Sequence, residues 1–395
     1  MKELIAREYS QNDPELLKLQ TETKSAQKRI GDLRKSFPKV MVMRDGTKRE
    51  TRVLTRGIYN KPTDIVVSSD TPASLPKFPK SAPRNRLGLA VWLVDEQHPL
   101  TARVTVNRIW QQFFGTGFVK TTEDFGVQSE RPSHPELLDW LALEFVKNGW
   151  DLKALHRRIV LSSTYRQSSA VTPALRERDP DNRLLARMSR YRLPSWMIRD
   201  QALYLSGLLV EKQGGPSVKP YQPDGVWAES TFGKKRYSPD KGEALYRRSL
   251  YTFWRRIVGP TMFFDEAKRQ TCEVRRARTN TPLHALITLN DIAYVEAARA
   301  MAQRVLKEGG ANDADRIDHA FSLATTRPPS VDEATILKKR LDQLRKNYSA
   351  NNQAAQALLK VGEHSRDDKL PVAEHAAYTV LCNLILNLDE VITRE

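Results

Sequence analysis

Residues 102–148 read ARVTVNRIWQQFFGTGFVKTTEDFGVQSERPSHPELLDWLALEFVKN, two helical periods separated by a polar turn bracketed by glycines. In Ala102 to Phe114 the apolar residues recur at helical spacing, and the run stops at Gly115 and Gly117, where glycine ends a helix without steric cost. Ser133 to Asn148 opens on a serine with Glu136 three residues on, the pattern of a capping box, and Leu137, Leu138, Leu141 and Phe145 then repeat at core spacing.

Working outward, the same period predicts helices over Arg86–Leu93, Leu152–Leu161, Pro194–Leu209 and Leu283–Leu306. It predicts three more over Asp313–Ala324, Val331–Asn347 and Val372–Leu388. The fold class expected is mainly α (α+β). A small N-terminal hairpin is placed in Val40–Met43 and Thr51–Leu54 around Asp45 and Gly46, and a short sheet near residues 246–258. Residues 1–38, ending at Pro38, read as a helix or helical hairpin, and 39–83 as the β hairpin followed by a Pro-rich linker from Pro62 to Pro83. Residues 84–395 read as the mainly helical domain, with a long loop at 210–245 and a C-terminal helical part from about 281.

A chain of 395 residues that is 40% apolar can bury ordinary cores. Its 64 Lys and Arg against 47 Asp and Glu leave a formal charge of +17, which attracts nucleic acid, sulfated or uronic polysaccharide, or anionic lipid. Cys272 and Cys382 carry no CxxC or Cys/His spacing, so neither a disulfide framework nor a metal site is read, and both are expected to be buried thiols. No cofactor motif is read in this chain. No run of about 18 apolar residues is present, and the opening MKELIAREYSQNDPELL lacks a signal-length apolar core, so the chain on its own reads as soluble and cytoplasmic.

Three groups of residues carry candidate chemistry. Arg103, Asn107 and Trp110 share one helix face, with Arg108 and Gln111 on an adjoining one, and an aligned Arg, Asn and Trp can hold a planar anion or sugar by forked hydrogen bonds and stacking. The bland alternative pairs the arginines with Asp124 or Asp139 and makes Trp110 core. Asp124, His134 and Asp139 are clustered acid and imidazole groups that could supply a general base, although their spacing matches no metal motif and His134 sits at a helix start. The third group is basic and aromatic: Arg247, Arg248, Tyr251, Trp254, Arg256, Lys268, Arg275, Arg276 and Arg278, suited to phosphate or sulfate pairing with stacking. Its bland alternative is a solvated face paired to Glu243, Asp265, Glu266 and Glu273.

The runs NRLGLAVWLV, HPLTARVTVNRIWQQFFGTGFVKTTEDFG, PSHPELLDWLALEF, LHRRIVLSSTYRQSS, MFFDEAKRQTCEVRRARTNTPLHALITLND and AAYTVLCNLILNLDE resemble, in order, the planctomycete-type domain of unknown function 1553, from about Val40 to the end. The resemblance implies the C-terminal part of a larger exported protein, preceded by a companion domain and often by a haem-bearing cytochrome c module. No established activity comes with it. This chain departs in having no CxxCH motif, companion domain or signal, and His284 stands where the family carries Gln. Three functions remain in view: a binding or assembly module for an acidic glycan or acidic partner domain, a carbohydrate enzyme coupled to a haem domain, and a single-stranded nucleic-acid binder.

Overall fold

The computed structural model describes residues 8–9, 13–37, 39–44, 46, 50–255, 258–266 and 271–394. Pro38, Asp45, Arg256 and Lys268, named above as helix stop, turn residue and cationic groups, lie outside the described residues, as do the first seven residues of the expected N-terminal helical segment. Two compact units are formed, Met1–Asp95 and Glu96–Glu395. The described chain is mainly α, with two small antiparallel sheets of two strands each. No helix among the described residues is long and apolar enough to cross a membrane.

The first unit holds helix α1 (Pro14–Ser36), strands β1 (Thr51–Leu54) and β2 (Pro62–Val67), and helix α2 (Arg86–Leu93). Asp13 starts α1 by accepting from the backbone N–H groups of Glu15 and Leu16, with Pro14 at the first helical position. The hairpin lies further along the chain than its β-favouring residues suggest. Val40–Met43 is exposed and pairs with no strand among the described residues, whereas Thr51 pairs with Val67 and Arg52 with Val66. The turn forms at Thr55–Gly57 rather than at Gly46, and Pro62, expected to open a linker, begins β2, a position where its missing N–H is tolerated. The rest of the Pro-rich stretch is anchored too, because Trp92 Nε1 on α2 donates to the Pro76 carbonyl at 2.8 Å.

In the second unit, α3 (Thr101–Phe114), α4 (Pro135–Lys147) and α5 (Leu152–Val160) build one core. Trp110 sits at its centre, stacked on Phe114 at 4.1 Å and tilted against Phe118 at 4.2 Å, beside Leu138, Leu141, Phe145 and Ile159. Fully burying each such ring contributes about 1.5–3 kcal/mol. The capping box expected at Ser133 does not form. His134 is the N-cap of α4 and makes no side-chain cap bond, while Ser133 Oγ contacts His134 Nδ1 instead.

Short helices α6 (Ser163–Arg166) and α7 (Pro173–Arg178) lead to strand β3 (Tyr191–Arg192) and helix α8 (Ser195–Leu205). The loop that follows contains helix α9 (Val226–Ser230). Where a short sheet was expected, residues 242–252 make two 3-10 turns and two single bridges, Val210–Arg247 and Val218–Thr252. The reason is local. The buried Arg199 guanidinium on α8 holds the carbonyls of Leu245 and Arg247 and the Ser249 hydroxyl, so those groups are already satisfied without a ladder.

The larger core is carried by α10 (Pro282–Asn290), α11 (Ile292–Glu308), α12 (Asp313–Thr325), α13 (Val331–Ala350) and, after α14 (Asn352–Leu359), whose Ala355 and Leu359 form a separate small cluster with Ala376, by α15 (Val372–Leu386), with α16 (Asp389–Ile392) and strand β4 (Thr393–Arg394) closing the chain. The single helix expected over Leu283–Leu306 breaks at Asp291, whose carboxylate accepts from Ala293 N and caps α11. Ala297, Ala298, Met301, Ala302 and Val305 of α11 are fully buried, and its alanines let α15 pack closely. Cys382 is buried on α15, which pushes its thiol up, whereas Cys272 is exposed, contrary to expectation.

Candidate functional site

The sequence groups fall apart in space, and part of two of them reassembles. Asn107 is completely buried. Its amide donates to the Val119 carbonyl at 3.1 Å and accepts from Val119 N at 2.9 Å, so it ties the loop after α3 back onto the helix. Arg103 Nε meets the Asp139 carboxylate at 2.7 Å and its Nη1 the Pro99 carbonyl, and Trp110 is core. The bland reading therefore describes that helix face, and Arg108 is exposed on the other side. Asp124 caps its own turn through Gly126 N, His134 contacts Ser133 and the edge of Phe118, and Asp139 holds Arg103.

Arg247 is buried, with its guanidinium donating to the carbonyls of Lys212, Gly214 and Pro216 and lying 3.8 Å over the Tyr251 ring. Trp254 stacks on Phe263 at 5.8 Å, and Arg248 is exposed. These residues brace a loop. The aromatic faces counted as stacking platforms are in part occupied by the chain's own arginines and rings.

Gln111, Arg275, Arg276 and Arg278 do converge, in a cleft of about 640 Å³ that lies between the end of α3, the β3–α8 junction and residues 264–266 and 273–278. Such a volume is in the usual range of ligand sites. Gly115 closes α3 with φ of +79°, a conformation glycine adopts freely, and an added Cβ there would stand 3.0 Å from the Arg278 guanidinium and 3.3 Å from the Tyr191 ring. Its carbonyl accepts from Arg278 at 3.3 Å. Arg278 lies 4.2 Å over Tyr191, and burial holds its pKa below the ordinary value. Tyr191 is fixed in turn by its hydroxyl, which donates to the Gln112 carbonyl, and by the two-residue ladder that pairs it with Arg394.

The neighbouring residue, Arg192, is the centre of the site. It lines the cleft, packs 5.2 Å over the Phe264 ring and donates through Nη1 to Asn280 Oδ1. Its Nε and Nη2 are buried and have no hydrogen-bond partner among the described residues. Burial lowers its pKa and the nearby Asp265 works against that. The other face of the story is acidic: Asp265, at φ of +57°, accepts from Thr279 N at 2.7 Å and Thr279 Oγ1 at 2.8 Å. Glu266 accepts from Arg276 at 3.2 Å. His284 is buried behind this wall, stacked 4.1 Å from Phe264, with Nε2 4.0 Å from Asp265 Oδ1, and burial depresses its pKa.

Four arginines thus face three carboxylates in the cleft, and two of the carboxylates already hold partners. Sequence reasoning missed Tyr191, Arg192 and Phe264, and it met Asp265 only as a counter-ion and His284 only as a departure. A two-residue strand carries no period, and nothing in the sequence marks the left-handed backbone at Asp265. The run MFFDEAK, with two aromatics before two acids, was the one available signal.

A family model described as PSD1, a protein of unknown function (DUF1553), matches residues 85–341. No curated protein and no solved structure matches the chain. The matched span runs from α2 into α13 and contains every residue of the cleft.

Proposed function

The chain belongs to the PSD1 family (DUF1553), and we propose that it is a binding module whose cleft takes the carboxylate or sulfate group of an acidic saccharide. The observation that carries this reading is Arg192, whose Nε and Nη2 are buried and have no acceptor among the described residues. Leaving charged donors buried and unpaired costs about 1–3 kcal/mol or more. Nε and Nη2 share one edge of the guanidinium, so a planar oxyanion that displaced the side chains covering that edge would meet both in forked geometry and remove that cost. Arg275, Arg276 and Arg278 supply further positive charge on the same cleft, and the N-terminal turn of α8 opens into it at Pro194 and Ser195. Phe264 and Tyr191 hold the guanidinium planes in place. Because those rings serve the arginines, the site favours anion capture over the successive base stacking on which single-stranded nucleic-acid binders depend.

Calorimetric titration with uronic and sulfated oligosaccharides of defined length, alongside an acidic peptide and single-stranded DNA, tests this at physiological salt. The saccharides are expected to bind, and Arg192→Gln to weaken them about tenfold, equivalent to about 1.4 kcal/mol, while Arg248→Gln leaves affinity unchanged. Matching thermal midpoints for the two variants separate a binding loss from misfolding. Stronger binding of the peptide or the DNA, or equal effects of the two variants, would overturn the reading.

A further inference from the structure

Helix α1 buries no side chain, yet it carries a seam that is leucine and isoleucine at both ends and small in the middle. Leu16, Leu19, Ile30 and Leu33 are 38, 53, 51 and 59% exposed. With Thr23 and Ala26 between them they follow one another at spacings of three, four, three, four and three. That is the heptad period, with Leu16, Thr23 and Ile30 at a and Leu19, Ala26 and Leu33 at d. Helices in proteins draw most of their stability from packing an apolar face, and Gly31 in the interior of α1 costs about 1 kcal/mol against alanine, so the seam calls for a cover.

We propose that α1 is a self-association surface that pairs antiparallel with the same helix of a second copy of the chain. The flanking charges choose both partner and direction. Gln20, Gln27 and Arg34 occupy e positions, and Glu15, Glu22 and Arg29 occupy g. When Thr23 faces Ala26 of the second copy in antiparallel register, Leu16 meets Leu33 and Leu19 meets Ile30. In that register g faces g, which sets Glu22 against Arg29 twice, once on each side of the seam, and e faces e, which sets Arg34 against the N-cap residue Asp13. A parallel pair would instead place Arg29 against Arg34 twice and leave Glu22 facing Gln27, so like charges oppose it.

Sedimentation equilibrium of the full chain over a wide concentration range tests this. The expected result is a reversible dimer that Leu19→Asp combined with Ile30→Asp reduces to monomer, with the thermal midpoint of the remaining fold unchanged because those side chains bury nothing. Glu22→Arg alone and Arg29→Glu alone each turn two attractive contacts into two repulsive ones and are expected to weaken the dimer about tenfold, while the two changes together restore it. A monomer at every concentration would sink the proposal, as would a dimer indifferent to the Asp substitutions. Strengthening by Arg29→Glu with no effect of Glu22→Arg would mean a parallel pair, and so would also overturn it.

Discussion

Asn107 shows how one amide can organise the ground beneath the cleft. Its carbonyl and amino groups take both backbone groups of Val119, so the loop after α3 is closed by a side chain rather than by a strand. Gly117 fits directly against that amide, and a Cβ there would lie 2.6 Å from it. Replacing Asn107 by Ala strips two buried backbone groups of their partners, each worth about 1–3 kcal/mol when orphaned, so a loss of roughly 2–6 kcal/mol is expected. Arg108→Ala, one residue on and exposed, should stay within about 0.5 kcal/mol. Urea unfolding with an unchanged slope separates the two, and comparable midpoints for both variants would show that the Val119 bonds are dispensable.

At the level of elements, helix starts are where pattern and geometry part most clearly. Ser133 with Glu136 has the spacing of a capping box, but Pro135 at the first helical turn and the Ser133–His134 side-chain contact leave α4 capped by no side chain. The box forms at Ser330, which accepts from Glu333 N while Glu333 accepts from Ser330 N, and Arg327 grips the same carboxylate at 2.8 Å. Ser330→Ala should therefore cost about 1 kcal/mol, and Ser133→Ala almost nothing. The reverse order in thermal midpoints would contradict this assignment. The contrast explains what was legible. Amphipathic runs such as Ala102–Phe114 and Leu152–Leu161 announce helices because a 3.6 period survives any neighbour. The 3-10 turns at 242–251 and the ladder at Tyr191–Arg192 are decided by partners far away in sequence, and the break at Asp291 by a cap bond to Ala293 N that the unbroken apolar run around it conceals. The candidate site inherits that limit. Arg275, Arg276 and Arg278 stand out as a charge run, whereas Arg192 becomes special only once Phe264, Asn280 and Asp265 surround it.

Across the whole molecule, stability should depend on pH in two separate windows. His375 is fully inaccessible on α15 with Nε2 3.0 Å from the Arg299 carbonyl, and burial is the main cause that lowers its pKa below 6.5; His284 and His364 are lowered for the same reason. Since the folded values lie below the unfolded one, the unfolded chain takes up protons first as pH falls past 6.5, and stability present at neutral pH declines from there. Asp313, bonded to Arg345 and to the Tyr378 hydroxyl, and Glu333, bonded to Arg327 and Ser330, sit at about 2. Their contribution is intact above the unfolded carboxylate values of 3.8 and 4.5 and is lost as pH falls from there toward 2. The net charge of +17 adds general repulsion that grows on acidification. Salt distinguishes the contributions, because repulsion between exposed charges is screened and the desolvation of a buried imidazole is not. Denaturant titrations at pH 7 and pH 5 in low and high salt should thus show a loss of stability that persists at high salt and shrinks in His375→Gln, whose amide can still reach the Arg299 carbonyl. A loss that vanished entirely with added salt would assign the whole effect to surface charge and leave the buried histidines without a role in it.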